Sequence, residues 1–361
     1  MQLFSDFWPG LLDVPGFLQQ FITPIVKVTK GKKSTSFFNL PEYNKWLEST
    51  GNGGKGYKIK YYKGLGTSTS AEAKEYFSNL DKHEITFGKI CEDALEANEE
   101  DDEAENVLPN VKSGSDLIDM VFKKDRVNER KVWLNNMDKD TFMDYSKVME
   151  EGPVKYSDFI NKEYILFSNY DNERSIPHVM DGLKPSQRKV LYACFKRKLK
   201  SEIKVAQLTG YIAEHSAYHH GEASLQQTIV MMAHDFVGSN NINLLFPSGQ
   251  FGTRRMGGKD AASPRYIFTR LQSIARMIFH PDDDELLNYQ EDDGVPIEPD
   301  FYVPVIPMVL VNGADGIGTG YSSCVNNYNP RDIITNIRRK IAGEELVPMS
   351  PYYSGFTGEV I

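Results

Sequence analysis

Residues 184–236 hold three stretches of helical periodicity, and a glycine-rich basic loop follows them; that order leaves few folds open. KPSQRKVLYACFKRKL (184–199) has Pro185 near a helix start, with Val190, Leu191, Cys194 and Phe195 on one side and Arg188, Lys189, Lys196 and Lys198 among the charged positions. KVAQLTGYIAEH (204–215) comes next. After a break through Gly221, EASLQQTIVMMAHDF (222–236) places Leu225, Ile229, Met232 and Phe236 on a shared face. Two helices with a short connection predict a helix-turn-helix, and FPSGQFGTRRMGGKDAASPRY (246–266) behind them has the composition of a wing. A further amphipathic helix is expected with Leu271, Ile274, Ala275 and Ile278 on its buried side.

The flanking segments read differently. Short apolar runs such as FITPIVKV (21–28) and KIKYY (58–62), separated by turns and the GNGG loop (51–54), predict an α/β region with a few strands. In TSTSAEAKEYFSNL (67–80), Thr69 and Glu72 form a capping box, and Ala73, Tyr76, Phe77 and Leu80 follow at helical spacing. EANEEDDEAENVLPNVKSGS (96–115) is acidic and poor in large apolar residues, so an exposed or disordered insertion is expected there. FYVPVIPMVLV (301–311) is expected to begin as a buried strand, NGADGIGTG (312–320) follows, and a helix is expected over 330–342. There is no internal repeat.

With 361 residues, 40% of them hydrophobic, the chain can hold two or three domains. Its most apolar stretch, PVIPMVLV (304–311), is far shorter than the roughly 20 residues a membrane span needs, and no signal peptide opens the sequence; a soluble protein is expected. Cys91, Cys194 and Cys324 lack metal-ligand spacing, which fits a reducing compartment and gives no zinc site. A formal charge of −9 argues, as an average, against a nucleic-acid partner. Along the chain it splits. Residues 91–120 hold eleven acids and one base, 281–300 hold nine acids and no base, and 174–280 hold fifteen Lys/Arg against six Asp/Glu. A basic block of that kind is either a solvated charged face or the footprint of a phosphate-rich partner.

Within the block, Tyr266 sits between Arg265 and Ile267 in a segment otherwise built of glycines and bases. A neutral phenol is a weak nucleophile, but a neighbouring guanidinium favours the phenolate and also stabilises charge on a phosphoryl group in transfer. An ordinary half-buried packing tyrosine fits the same spacing. His219 and His220 fit a structural pair at a helix start, two ligands of a metal with Glu222, or a phosphate contact at a helix N-terminus. Gly316, Gly318 and Gly320 do not form G-x-G-x-x-G, which counts against a dinucleotide loop and a nucleotide-binding enzyme.

Six motifs in order, KGLGTSTSAEAKEYFSNLDKH (63–83), RSIPHVMDGLKPSQRKVLYACF (174–195), AYHHGEASLQQTI (217–229), DFVGSNN (235–241), GQFGTRRMGGKDAASPRYIFT (249–269) and PMVLVNGADGIGTG (307–320), resemble eukaryotic DNA topoisomerase II, a type IIA enzyme. The resemblance covers nearly the whole chain apart from the acidic stretch near 91–115. It implies that Tyr266 attacks a DNA backbone phosphorus and leaves a 5′-phosphotyrosyl link, with Arg265 and His220 matching family positions that contact the scissile phosphate. Arg174, Lys184 and Arg188 match positions assigned to DNA-backbone contact, Lys63 a DNA contact from the neighbouring domain, and Ile317 an isoleucine that wedges between base pairs and bends the duplex.

The same resemblance implies an α/β and α+β multidomain fold: the C-terminal part of a TOPRIM domain over 1–160 with its acidic insertion, a winged-helix (helix-turn-helix) DNA-cleavage domain over 165–300, and the start of an α/β tower domain from 301 to 361. It implies double-stranded DNA as partner, a homodimer, no membrane and a nuclear location. Mg2+ and ATP would serve the parent enzyme, whose TOPRIM carboxylates and ATPase domain are expected outside this chain. The chain is therefore read as the middle of a longer one, with no metal or nucleotide of its own. As a separate piece it is expected to bind and bend duplex DNA with steep salt dependence and to form little covalent adduct, a DNA-binding and bending module being the alternative to a cleaving enzyme.

Overall fold

The computed structural model describes residues 1–361 apart from 52, 63–64, 94–110, 112, 139–140, 146–147, 149–151, 293 and 361. Two compact units, Met1–Asn169 and Tyr170–Ile361, divide the chain. Helices mix with short antiparallel strands throughout, and the acidic insertion expected at 96–115 falls mostly outside the described residues.

In the first unit, strand Val26–Lys30 is flanked by Lys33–Phe37 and Lys58–Tyr61, both antiparallel to it. Alternation puts Val26 and Val28 into a core with Phe37 and Tyr43, the latter on helix Leu40–Ser49. Asn39 caps that helix, accepting the Glu42 N–H at 2.8 Å, and Pro41 fits the first turn, where an N–H would have no helical acceptor. FITPIVKV makes two strands rather than one: Gln19–Phe21 pairs with Glu84–Thr86, and Pro24 lies in the break before Val26. Where the acidic insertion meets the described residues, buried Asp93 accepts the Ser157 N–H and Oγ–H at 2.8 and 2.6 Å. Gly114 passes so near that a Cβ would lie 2.4 Å from the Asp93 carboxylate.

The capping box forms at helix Ser70–Ser78. Thr69 Oγ1 accepts the Glu72 N–H, and Glu72 accepts the Thr69 N–H at 2.8 Å. Tyr76 is buried, whereas Phe77 is exposed and stacks on Phe21 with ring centroids 5.2 Å apart. Burial raises the Glu72 carboxyl pKa, but hydrogen bonds from Lys60, Thr69 and Tyr62 outweigh it and bring the value to about 2. A carboxyl whose pKa falls on folding stabilises the native state above its unfolded pKa, and that contribution disappears as pH drops through the folded value. The first unit should therefore lose stability between pH 4.5 and about 2. Glu72→Gln should flatten that part of a stability-versus-pH curve; an unchanged acid limb would refute the linkage.

The second unit contains the expected helix-turn-helix. Its helices run Pro185–Lys196, Val205–His215 and Glu222–Ala233, and Val190, Leu191, Cys194, Leu208, Ile212, Leu225 and Ile229 meet in one core. A short strand, Ile203–Lys204, pairs antiparallel with Phe268–Thr269 at the base of the glycine-rich loop, forming the wing. Two expectations change. The helix expected around Leu271–Ile278 shortens to Ala275–Ile278, and 301–307 forms no strand. Pro304 and Pro307 have no N–H to give a ladder, and Pro307 instead precedes a single helical turn, Met308–Val311. Tyr302, Met308, Val311 and Ile333 join the core of the helix-turn-helix. Ile333 comes from helix Pro330–Ile341, as expected, with Asn329 capping it.

Candidate nucleic-acid interface

Tyr266 is held outward by its neighbours. Ile267 is buried beneath Gly249, where a Cβ would come within 2.9 Å of it, and Phe268 and Ser248 exchange N–H···O bonds of 2.9 and 3.0 Å. The Tyr266 N–H donates to Ser263 O at 2.8 Å, closing the turn that leaves the phenol 72% exposed. Arg265 is exposed beside it, its guanidinium carbon 5.8 Å from the ring centroid. The loop that carries this pair is braced. Thr253 donates its N–H and Oγ1–H to Asp260, both at 2.8 Å, and these bonds hold the Asp260 carboxyl below the usual range. Gly252 and Gly258 cross closely enough that a Cβ on Gly252 would sit 2.5 Å from the Gly258 Cα. His234 packs under Gly258, and burial lowers its imidazole pKa. The run GTRRMGG is thus a packing requirement as well as a flexible loop.

A cleft of about 970 Å³ gathers Arg174, Lys184, Arg188 and His220. Tyr266 and Arg265 do not line it. His220 is exposed just ahead of helix Glu222–Ala233, whose N-terminus carries no side-chain cap, a position suited to an anion. The Tyr170 hydroxyl lies 3.1 Å from His220 Nε2, and the Tyr218 ring packs edge-on at 5.6 Å. Burial raises the Tyr218 phenol pKa. Arg174 keeps nearly half its surface in solvent, is oriented by Asp171 at 2.9 and 3.1 Å, and lies 5.9 Å from the centroid of the Tyr170 ring. Lys184 is half-buried at the start of helix Pro185–Lys196, its backbone N–H donating to Gln187 Oε1 at 2.8 Å.

Arg188 departs from the expected phosphate contact. Its side chain is 5% exposed, and it donates to the fully buried Asp181 carboxylate at 2.8 and 3.1 Å and to Leu183 O at 3.1 Å. A guanidinium already committed to an internal carboxylate has little left to offer a backbone phosphate, so Arg188 organises the segment 181–188 instead. Lys189 likewise pairs with buried Glu298, at 2.7 Å. Lys63 lies outside the described residues. The metal alternative for the histidines finds no support in the geometry: His219 faces Asp292 at 3.9 Å, and among the described residues no three His, Cys, Asp or Glu side chains converge to hold a metal.

Ile317 stands 79% exposed at the end of strand Ala314–Ile317, opposite Ser322 in the hairpin with Ser322–Val325. The glycines of NGADGIGTG allow this hairpin to lie against residues 172–177: a Cβ on Gly316 would fall 2.3 Å from Ser175 O, and one on Gly318 would fall 2.1 Å from Asn172 Oδ1. Asn172 Nδ2 donates to Thr319 O at 3.0 Å, and Thr319 Oγ1 lies 3.4 Å from Asp171. Sequence reasoning missed Tyr170, Asp171 and Asn172, which tie this hairpin and the cleft together. The one signal for them was the need for glycine at 316 and 318. Ile317→Ala should leave duplex affinity within about threefold but lower the bend angle, because the wedge is removed while the phosphate contacts remain. Gly318→Ala should also reduce bending by displacing the hairpin. Fluorescence energy transfer between the ends of a bound duplex reads both, and an unchanged bend in Ile317→Ala would remove Ile317 from the interface.

Residues 174–361 match the DNA gyrase/topoisomerase IV family, and residues 21–172 match the C-terminal associated domain of TOPRIM. The chain is 54% identical over its full length to DNA topoisomerase 2 of Plasmodium falciparum, covering 24% of that protein. Over 98% of its length it is 52% identical to human DNA topoisomerase 2-alpha, covering 22% of it. Its structure superposes, with a TM-score of 0.76 and 53% identity, on the crystal structure of the Plasmodium falciparum topoisomerase II DNA-binding, cleavage and re-ligation domain, over 99% of this chain and 45% of that one. The chain belongs to the DNA gyrase/topoisomerase IV family, the type II topoisomerases. It spans about a quarter of the length of the curated relatives it matches.

Proposed function

We propose that this chain is the DNA gate of a type IIA topoisomerase, which cuts both strands of a duplex reversibly so that the whole enzyme can pass a second duplex through the break at the expense of ATP. The observation that carries this reading is the exposed Tyr266–Arg265 pair on a wing whose glycine packing and Thr253–Asp260 bonds leave it little freedom. Tyr266 Oη gives up its proton and forms a bond to phosphorus; the P–O3′ bond breaks, and the 3′-oxygen takes up a proton. One phosphodiester is exchanged for another, so the bond energy is kept for resealing when the 3′-hydroxyl attacks in reverse. Arg265 and His220 stabilise the charge that builds on the non-bridging oxygens, and Arg174 and Lys184 hold the backbone on either side.

Two tyrosines are required for two strands, which supports a homodimer. On this reading residues 1–160 are TOPRIM-associated, 165–300 form the winged-helix cleavage domain, 301–361 begin the tower, and the enzyme works in the nucleus. Magnesium, the cofactor of the whole enzyme, polarises phosphate oxygens when bound. The described residues do not supply a ligand set for it, so no step above runs through a metal. Nor does any described helix have the length and apolar character to cross a membrane.

Duplex binding by this chain should weaken steeply with salt. Four phosphate contacts give a slope of about −4 in log K against log salt, and Arg174→Ala should reduce its magnitude by about 1. A slope near zero would overturn the DNA-gate reading.

A further inference from the structure

A second cavity in the Tyr170–Ile361 unit, of about 630 Å³, is lined by none of Arg174, His220 and Tyr266. Its floor is apolar, built from Phe195, Leu199 and Leu271. Four cations surround that floor, Lys198, Lys200, Arg270 and Arg276, against a single carboxylate, Asp284. The two guanidiniums are pre-set. Arg276 lies 4.1 Å over the Phe195 ring and is gripped by Asp284 at 2.6 and 3.2 Å, while Arg270 lies 4.3 Å over the Phe246 ring. Lys198 is one of two non-glycine residues with positive φ, at 51°. Its N–H donates to Phe195 O, and the Leu199 N–H donates to Cys194 O, so the chain end of helix Pro185–Lys196 turns through Lys198 at a position that usually favours glycine. A lysine kept in that conformation, at the rim of an apolar cavity with a surplus of positive charge, is a feature that DNA cleavage does not require.

We propose that this cavity is a binding site for a small anionic aromatic ligand, a planar fused ring carrying a phosphate or carboxylate. The ring would lie on Phe195, Leu199 and Leu271, and the anion would meet Lys198, Lys200 and Arg270. The volume falls in the range of drug-sized sites, which pair mostly apolar walls with a few placed polar groups. A duplex backbone is a poorer match, because it brings rows of phosphates and no ring to cover the apolar floor. Inorganic phosphate alone would leave that floor wet. Binding here depends on neither the nucleophile nor the DNA cleft, so its failure would leave the DNA-gate reading untouched.

The probe is 2-naphthyl phosphate, titrated into the 15N-labelled chain and followed by amide shifts of residues 198–200 and 270–276. Saturable shifts with a Kd of about 0.1–1 mM are expected, from the ligand efficiency of a compound of this size. Inorganic phosphate and 2-naphthol should each bind at least 10-fold more weakly. Lys198→Gly keeps the left-handed backbone while removing the cation, so it should fold normally; combined with Lys200→Ala it should weaken the probe about 10-fold. Absence of saturable shifts at these residues up to 10 times the expected Kd, equal binding of inorganic phosphate, or unchanged affinity in the double variant would each overturn the proposal.

Discussion

Replacing Tyr266 by Phe in the intact enzyme is expected to abolish covalent DNA adducts, with a loss of at least about 10⁴-fold in cleavage, while duplex affinity stays within about twofold. The asymmetry follows from where the hydroxyl sits. The ring is mostly in solvent, and Ile267 and the Ser248–Phe268 bonds, not the phenol, fix the turn. Removing one oxygen therefore costs no packing and leaves Arg265 in place. Arg265→Lys should behave differently, since an ammonium retains the charge but not the planar fork, and should slow cleavage by about 10²- to 10³-fold without abolishing it. Denaturing electrophoresis of end-labelled duplex after protein trapping reads both. Adducts in Tyr266→Phe at the native level would remove Tyr266 as the nucleophile; equal and complete loss in both variants, with weakened binding, would point to a misfolded wing.

The helix-turn-helix was legible because its three helices carry strong periodic patterns and their apolar residues meet in one core. Short elements were not. The 301–307 segment is apolar enough for a strand, but two prolines remove the donors a ladder needs, a case where donor chemistry decides against hydropathy. The site was legible in its members rather than its grouping. Four of the named residues line one cleft, while Tyr266 and Arg265 occupy the wing, and no spacing in a sequence reports that separation. Charge counting also has a limit. The surplus of bases over 174–280 suggested that its cations face outward, yet Arg188 is neutralised by Asp181 inside the block, and Lys189 and Arg276 by Glu298 and Asp284 from the acidic 281–300 segment. Part of what looked like a flanking acidic loop is an internal counter-charge.

Asp181→Ala should destabilise the Tyr170–Ile361 unit by about 3–5 kcal/mol, the cost of stranding a buried charge. Asp181 is fully buried and accepts four hydrogen bonds: two from Arg188, one from the Leu183 N–H and one from the Tyr302 N–H at 3.0 Å. Truncation leaves the guanidinium without its counter-charge and two backbone donors without acceptors, and opens the junction between 181–188 and Tyr302. Asp181→Leu combined with Arg188→Met removes both charges and should recover much of the loss, because apolar side chains of similar volume often replace a buried ion pair at little cost. Urea unfolding followed by the near-ultraviolet signal of this unit measures both changes. The double variant also separates two roles for Arg188. If it is an internal organiser, the folded double variant should bind duplex with the salt slope of the wild type; if it is a phosphate contact, the slope should fall in magnitude by about 1. A loss under about 1 kcal/mol in Asp181→Ala, together with a reduced slope in the double variant, would return Arg188 to the DNA surface.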